Sequence, residues 1–118
     1  TYHNGKPNLR RIDQLCKVLA DLKNRGVEVV LVSSGAVPMG VAKMGLSERP
    51  RQIPLKQAAA AVGQVELMFL YDKLFSEYGQ LVAQILLTRD VVEDEQRHEN
   101  VVNTMRTLLS HGVLPIVN

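Results

Sequence analysis

Three short runs rich in β-branched and aliphatic residues constrain this chain most: VEVVLVS at 27–33, QLVAQILLT at 80–88 and VLPIV at 113–117. Each is too short for a helix of ordinary length, shows no polar alternation, and follows a glycine or a glycine-bounded turn, as strands covered on both faces of a parallel sheet do. A segment with helical periodicity precedes each run. Strand and helix therefore alternate, and parallel neighbours must be joined by right-handed crossovers that place helices on both faces of the sheet. The expectation is an α/β fold, in one unit without internal repeats.

The helical segments can be bounded from their own residues. From Leu9 to Arg25, apolar residues at Ile12, Leu15, Cys16, Val18, Leu19 and Leu22 keep one face apolar, and Gly26 supplies a stop. A short helix is expected over VPMGVAKMG, with Pro38 in its first turn, where no intrahelical N–H is needed. LSERPRQIP at 46–54 reads as a loop. The longest helix is expected from Leu55 to Tyr78, ending at Gly79, and another over 94–112, ending at Gly112. Residues 1–8, with Asn4-Gly5 and Lys6-Pro7, read as a turn or frayed start that packs on nothing.

Composition narrows the function classes. Apolar residues make up 46% of the 118 and charged residues 22%, which is ordinary for a globular domain and too apolar for disorder. The 14 Lys and Arg are interspersed with 12 acidic residues for a net charge of +2, so no basic stripe for nucleic acid stands out. No apolar run approaches the roughly 20 residues that cross a bilayer. Cys16 is the only cysteine, which suits a reducing compartment and a cytoplasmic location. Its place on an apolar helix face marks it as a small buried hydrophobe rather than a nucleophile.

Chemistry is best sought at Ser33-Ser34-Gly35-Ala36, where the first strand gives way to a helix. Backbone N–H groups left free there, the positive end of the helix dipole and the Ser34 hydroxyl together suit a carboxylate or phosphate. The competing reading is an ordinary serine cap followed by a glycine for close packing. In KQAAAAVGQ at 56–64 the small residues point to close helix packing, with Lys56 and Gln57 as exposed caps or loop contacts, and Gly63 costs about 1 kcal/mol relative to Ala unless something packs against it. Glu93, Asp94 and Glu95 read as acids complementing a helix dipole, and His3, His98 and His111 lack ligand spacing, so no metal ligand is assigned.

The order and wording of VEVVLVSSGAVPMG, PLKQAAAAVGQVELMFLYDKLFSEYG, AQILLTRDV and RHENVVNTMRTLLSHGVLPIVN are more specific than any one of them. Over nearly its whole length the chain resembles the glutamate 5-kinase family, of amino-acid kinase fold. The resemblance implies a three-layer α/β/α sandwich around a mainly parallel sheet, with residues 1–118 as the N-terminal and central part of a single kinase domain. It implies a cytoplasmic transferase of amino-acid biosynthesis that moves the γ-phosphoryl group of ATP, with Mg2+, to the side-chain carboxylate of L-glutamate, the first step towards proline. Ser34, Gly35 and Ala36 match the turn that lines the glutamate pocket in that family, and Asn118 matches the first Asn of its Asn-Glu-Asn-Asp loop. The family's catalytic and nucleotide-binding residues match no position here, so they are expected outside this segment, which alone is expected to be inactive.

The resemblance further implies a homodimer or homotetramer, and proline as a feedback inhibitor at an overlapping site is common in the family. Two other readings keep the fold: a kinase acting on another amino acid or carboxylate, and the kinase half of a bifunctional pyrroline-carboxylate synthase. A third reading makes the chain an assembly module whose long helix offers Leu67, Met68, Leu70, Leu74 and Phe75 as an interface, against the plainer alternative that these residues pack on the sheet.

Overall fold

A computed structural model describes the backbone at residues 2–3 and 6–7 and the whole of residues 8–118. The elements run β1 (Tyr2–His3), β2 (Lys6–Pro7), α1 (Leu9–Asn24), β3 (Leu31–Val32), α2 (Ala36–Met44), α3 (Ile53–Glu77), β4 (Leu81–Ile85), α4 (Arg89–Glu93), α5 (Glu95–Ser110) and β5 (Val113–Val117). The principal sheet is parallel, in the order β3-β5-β4, with Leu31 opposite Ile116 and Leu81 opposite Val113. The α/β class and the parallel sheet are as the alternation implied. The chain start differs: Tyr2–His3 pairs antiparallel with Lys6–Pro7, and β2 lies beside α2, while the Asn4-Gly5 turn falls outside the described residues.

β5 is the centre of the layers, and all five of its residues are buried. Leu114 and Ile116 face α1 and α3, joining Ile12, Cys16, Leu67, Leu74 and Phe75 in one core cluster. Val113, Pro115 and Val117 alternate to the other face, where α5 packs against the strand. Of the residues considered for an interface on α3, Leu67, Leu74 and Phe75 belong to the interior, at 1%, 9% and 0% exposed, and Met68 and Leu70 are partly buried against that core. Burial of such side chains contributes about 1.5–3 kcal/mol each.

Two strands are shorter than expected. β3 reaches only from Leu31 to Val32, and Val32 is 76% exposed, because β3 pairs with β5 alone and no described residue covers the face that carries Val30 and Val32. β4 is regular only from Leu81 to Ile85, although the Leu87 amide still bonds to Asn118 O at 3.0 Å before α4 begins. The last helical segment is also split, with Arg89–Glu93 forming a turn of its own before Asp94 caps α5 by accepting from the Arg97 amide at 3.0 Å.

Helix ends follow the glycines. Gly26, at φ +90°, takes the left-handed conformation that lets its N–H reach Lys23 O at 2.9 Å and the Val27 N–H reach Leu22 O at 3.1 Å, closing α1.

α2 and α3 approach each other closely. A Cβ on Gly40 would lie 1.7 Å from the Ala59 carbonyl oxygen, and one on Gly63 would lie 1.7 Å from that of Ala36. Ala36 and Gly40 are four apart on one helix, Ala59 and Gly63 four apart on the other, so two small-residue faces meet antiparallel, backbone against backbone. The alanines of KQAAAAVGQ thus serve packing, as their size suggested. Gly63→Ala should cost about 3 kcal/mol or more, at the upper end of overpacking penalties, because the obstacle is backbone and cannot rotate away. Gly26→Ala, with nothing within 4 Å, should cost only about 1–2 kcal/mol for its left-handed backbone. Denaturant midpoints of the two variants check the ranking.

Cys16 is fully buried in this core, and burial, with the nearby Asp13 charge adding, pushes its thiol up from 9.0 to about 12. The folded state holds that proton more tightly than the unfolded chain. Its stabilising contribution is whole below pH 9.0 and is lost as pH rises towards 12. Stability of the native protein should therefore fall more steeply between about pH 9 and pH 11 than that of Cys16→Ala, as read from denaturant midpoints across that range.

Candidate functional site

α2 begins at the carboxyl end of β3, the position at which open α/β sheets place their ligands. Its N-cap is Gly35, at φ +106° and ψ +10°, and no side chain caps it. The first helical bond runs from the Met39 amide to Gly35 O at 3.2 Å, and Pro38 has no N–H to offer. The amides of Ala36 and Val37 therefore have no hydrogen-bond partner among the described residues, at the positive end of a nine-residue helix. A serine cap, the plainer reading of this turn, is not what the backbone forms.

The preceding residues are held from below. The Ser33 hydroxyl shares a 2.9 Å hydrogen bond with the hydroxyl of Tyr71, which rises from α3 through the core and is 6% exposed. Burial pushes the Tyr71 phenol up from its usual range, so it stays a neutral O–H partner at physiological pH. The Ser33 amide adds a bond to Val117 O at 2.8 Å, and these two ties fix the turn against β5.

Asn118 follows β5 directly. Its amide donates to Ile85 O at 2.9 Å and its carbonyl accepts from Leu87 at 3.0 Å, while its side-chain Nδ2 donates to Gln64 Oε1 on α3. Ser34, Gly35, Ala36 and Asn118, the four residues singled out from the sequence, line one cleft of about 570 Å³. Val37, Pro38 and Ala60 complete its walls, and Arg49 stands at its mouth.

Arg49 was not singled out from sequence, where it lies in a charged, proline-rich loop like many others. It is exposed and makes no ion pair among the described residues. Pro50 beside it is buried, which anchors the loop that carries it. The same guanidinium also borders a second cleft of about 450 Å³ under the loop, lined by Leu46, Pro50 and Leu55 among others. Nothing in that second space converges on a helix end.

Two amides, a helix dipole, a serine, an asparagine and a cation on one cleft are groups whose chemistry suits an anion. No carboxylate lines the cleft, and no group of three His, Cys, Asp or Glu lies close enough to hold a metal ion among the described residues. The acids at 93–95 act locally: Glu93 pairs with Arg89 at 3.3 Å and Asp94 caps α5, while Arg97 closes on Asp90. His98 and His111 lie apart on α5 and at its end, and the His3 side chain falls outside the described residues. No described helix is long and apolar enough to cross a membrane.

The pattern describing the amino acid kinase family matches residues 3–118. The chain belongs to that family. Within it, the chain is 56% identical over all 118 residues to the glutamate 5-kinase of Clostridium perfringens (strain 13 / Type A), covering 44% of that protein. It is 57% identical over 117 residues to the glutamate 5-kinase of Listeria monocytogenes serotype 4b (strain CLIP80459), covering 42% of it, and 52% identical over 118 residues to that of Clostridium acetobutylicum, covering 44%. The chain thus spans less than half the length of these amino acid kinase relatives.

Removing the phenol hydroxyl tests how the turn is held. Tyr71→Phe should cost about 1 kcal/mol, because Ser33 Oγ loses a part-buried partner while the ring keeps its packing. Equilibrium unfolding in denaturant measures it directly.

Proposed function

We propose that the protein carrying this chain transfers the γ-phosphoryl group of ATP to the side-chain carboxylate of L-glutamate, giving glutamyl 5-phosphate, and that the cleft at the start of α2 holds the glutamate. The observation that carries this reading is the convergence of the Ala36 and Val37 amides, Ser34, Asn118 and Arg49 on one cleft, in a chain more than half identical to glutamate 5-kinases.

The chemistry asks little of these residues beyond placement. A carboxylate oxygen forms the new bond to the γ-phosphorus as the bond to the bridging oxygen breaks, and ADP departs with that electron pair. With an ordinary pKa of about 4.3, the glutamate side chain is already ionised at neutral pH, so no general base is needed. That fits a cleft without a carboxylate or histidine. What the transfer does need is an acceptor held in line and charge compensated by fixed donors. The amides at the start of α2 are such donors, since the fold holds them in place before any ligand arrives. Arg49 adds a cation for one of the two carboxylates of glutamate.

Family membership implies ATP and Mg2+ as well. Among the described residues the cleft offers neither a carboxylate for magnesium nor a lysine for phosphate, so none of them is assigned to either, and the cleft is given to the acceptor alone. A cytoplasmic location and a homodimeric or homotetrameric assembly complete the proposal.

In the full-length protein with magnesium and ATP, ADP release and hydroxylamine trapping of the acyl phosphate should occur with L-glutamate and not with aspartate, N-acetylglutamate or carbamate. Ser34→Ala and Arg49→Ala should each raise KM for glutamate by about tenfold while leaving KM for ATP nearly unchanged. Turnover confined to another acceptor would overturn the substrate, and unchanged KM values in both variants would overturn the pocket.

A further inference from the structure

Gln64 ends the KQAAAAVGQ segment, where its sequence neighbours serve only packing. It directly follows Gly63, where the α3 backbone is pressed onto the Ala36 carbonyl. Gln64 Oε1 accepts from Asn118 Nδ2, a part-buried bond between residues 54 apart in sequence. The other end of the same amide is anomalous, because Gln64 Nε2 is buried and has no partner among the described residues.

A buried, unpaired amide donor is destabilising, so stability alone would favour an apolar side chain of similar size at this position. Retaining a glutamine there makes sense if its oxygen does something an apolar group cannot. The backbone of Asn118 is already fixed by its bonds to Ile85 and Leu87, and the side chain is the part that the cleft uses. Free rotation of that side chain would have to be frozen whenever a ligand bound, which weakens binding.

We infer that Gln64 is a positioning residue for the acceptor: it locks the carboxamide of Asn118 in the orientation that the cleft presents to L-glutamate. This rests on the reading of the cleft as the acceptor site. Gln64 itself does not line the cleft, so its effect passes entirely through Asn118.

The test is a double-mutant cycle in the full-length protein, with Gln64→Leu, Asn118→Ala and the pair, reading KM for glutamate, KM for ATP and Tm. Gln64→Leu should raise KM for glutamate by about tenfold, leave KM for ATP unchanged, and leave Tm nearly unchanged, because the orphaned Gln64 donor goes as Asn118 Nδ2 loses its acceptor. In the Asn118→Ala background the same change should have no further effect on KM. Additive KM effects, or a Gln64→Leu variant with normal KM beside an impaired Asn118→Ala, would overturn the positioning role and leave the cleft standing. A lowered Tm with both KM values raised would make Gln64 merely structural, again overturning the inference. An Asn118→Ala variant with unchanged KM for glutamate would remove the acceptor site and the inference with it.

Discussion

The contact of α2 with α3 at Ala36, Gly40, Ala59 and Gly63 is the constraint from which the site follows. Two helices can meet backbone to backbone only where neither carries a Cβ at the point of contact, and here each contributes a glycine opposite an alanine carbonyl. The approach seats the first turn of α2 against the middle of α3, which is itself tied to the sheet by Leu67, Tyr71, Leu74 and Phe75. The start of α2 is thereby held rigidly, with its first amides directed along the helix axis towards its N-terminus.

From that rigid start the electrostatics are fixed in advance. A helix whose N-cap is a left-handed glycine and whose third residue is proline keeps two amides available and has no side chain of its own to satisfy them. In water such groups are hydrated. At the floor of a cleft they are donors that need no reorganisation, and a carboxylate gains from them and from the helix dipole together. Tyr71 and the Val117 carbonyl hold the strand end below, Asn118 closes the side, and Arg49 supplies charge at the mouth.

Much of this could be read from the residues. The strand-to-helix turn at 33–36 was visible as β-branched residues giving way to Ser-Ser-Gly, the helix stops were visible as glycines, and the alanine run announced close packing. Strand extent was not, because the length of β3 depends on whether a neighbour covers Val30 and Val32, which periodicity does not record. The same reason hid Arg49 and Gln64. One sits in a charged loop and the other in a helix of small residues, and what gives each its place is a contact with a residue far along the chain. The resemblance supplied Asn118, which spacing alone would have left as the polar residue after a strand. The interface considered on α3 failed for a related reason: the apolar residues of a long helix cannot be divided between core and surface until the sheet's position is known.

The most direct test of the account is whether glutamate reaches the amides at the start of α2. Full-length protein labelled with 15N at alanine and valine, with Ala36 and Val37 assigned by substitution, would be titrated with L-glutamate while amide chemical shifts are followed. The expected result is saturable movement of Ala36 and Val37 together, with a common Kd, shifted to about tenfold higher glutamate concentrations in Ser34→Ala. Glutamate binding with those two amides unmoved would contradict the account, because the acceptor would then lie somewhere other than the helix end that the α2–α3 contact holds in place.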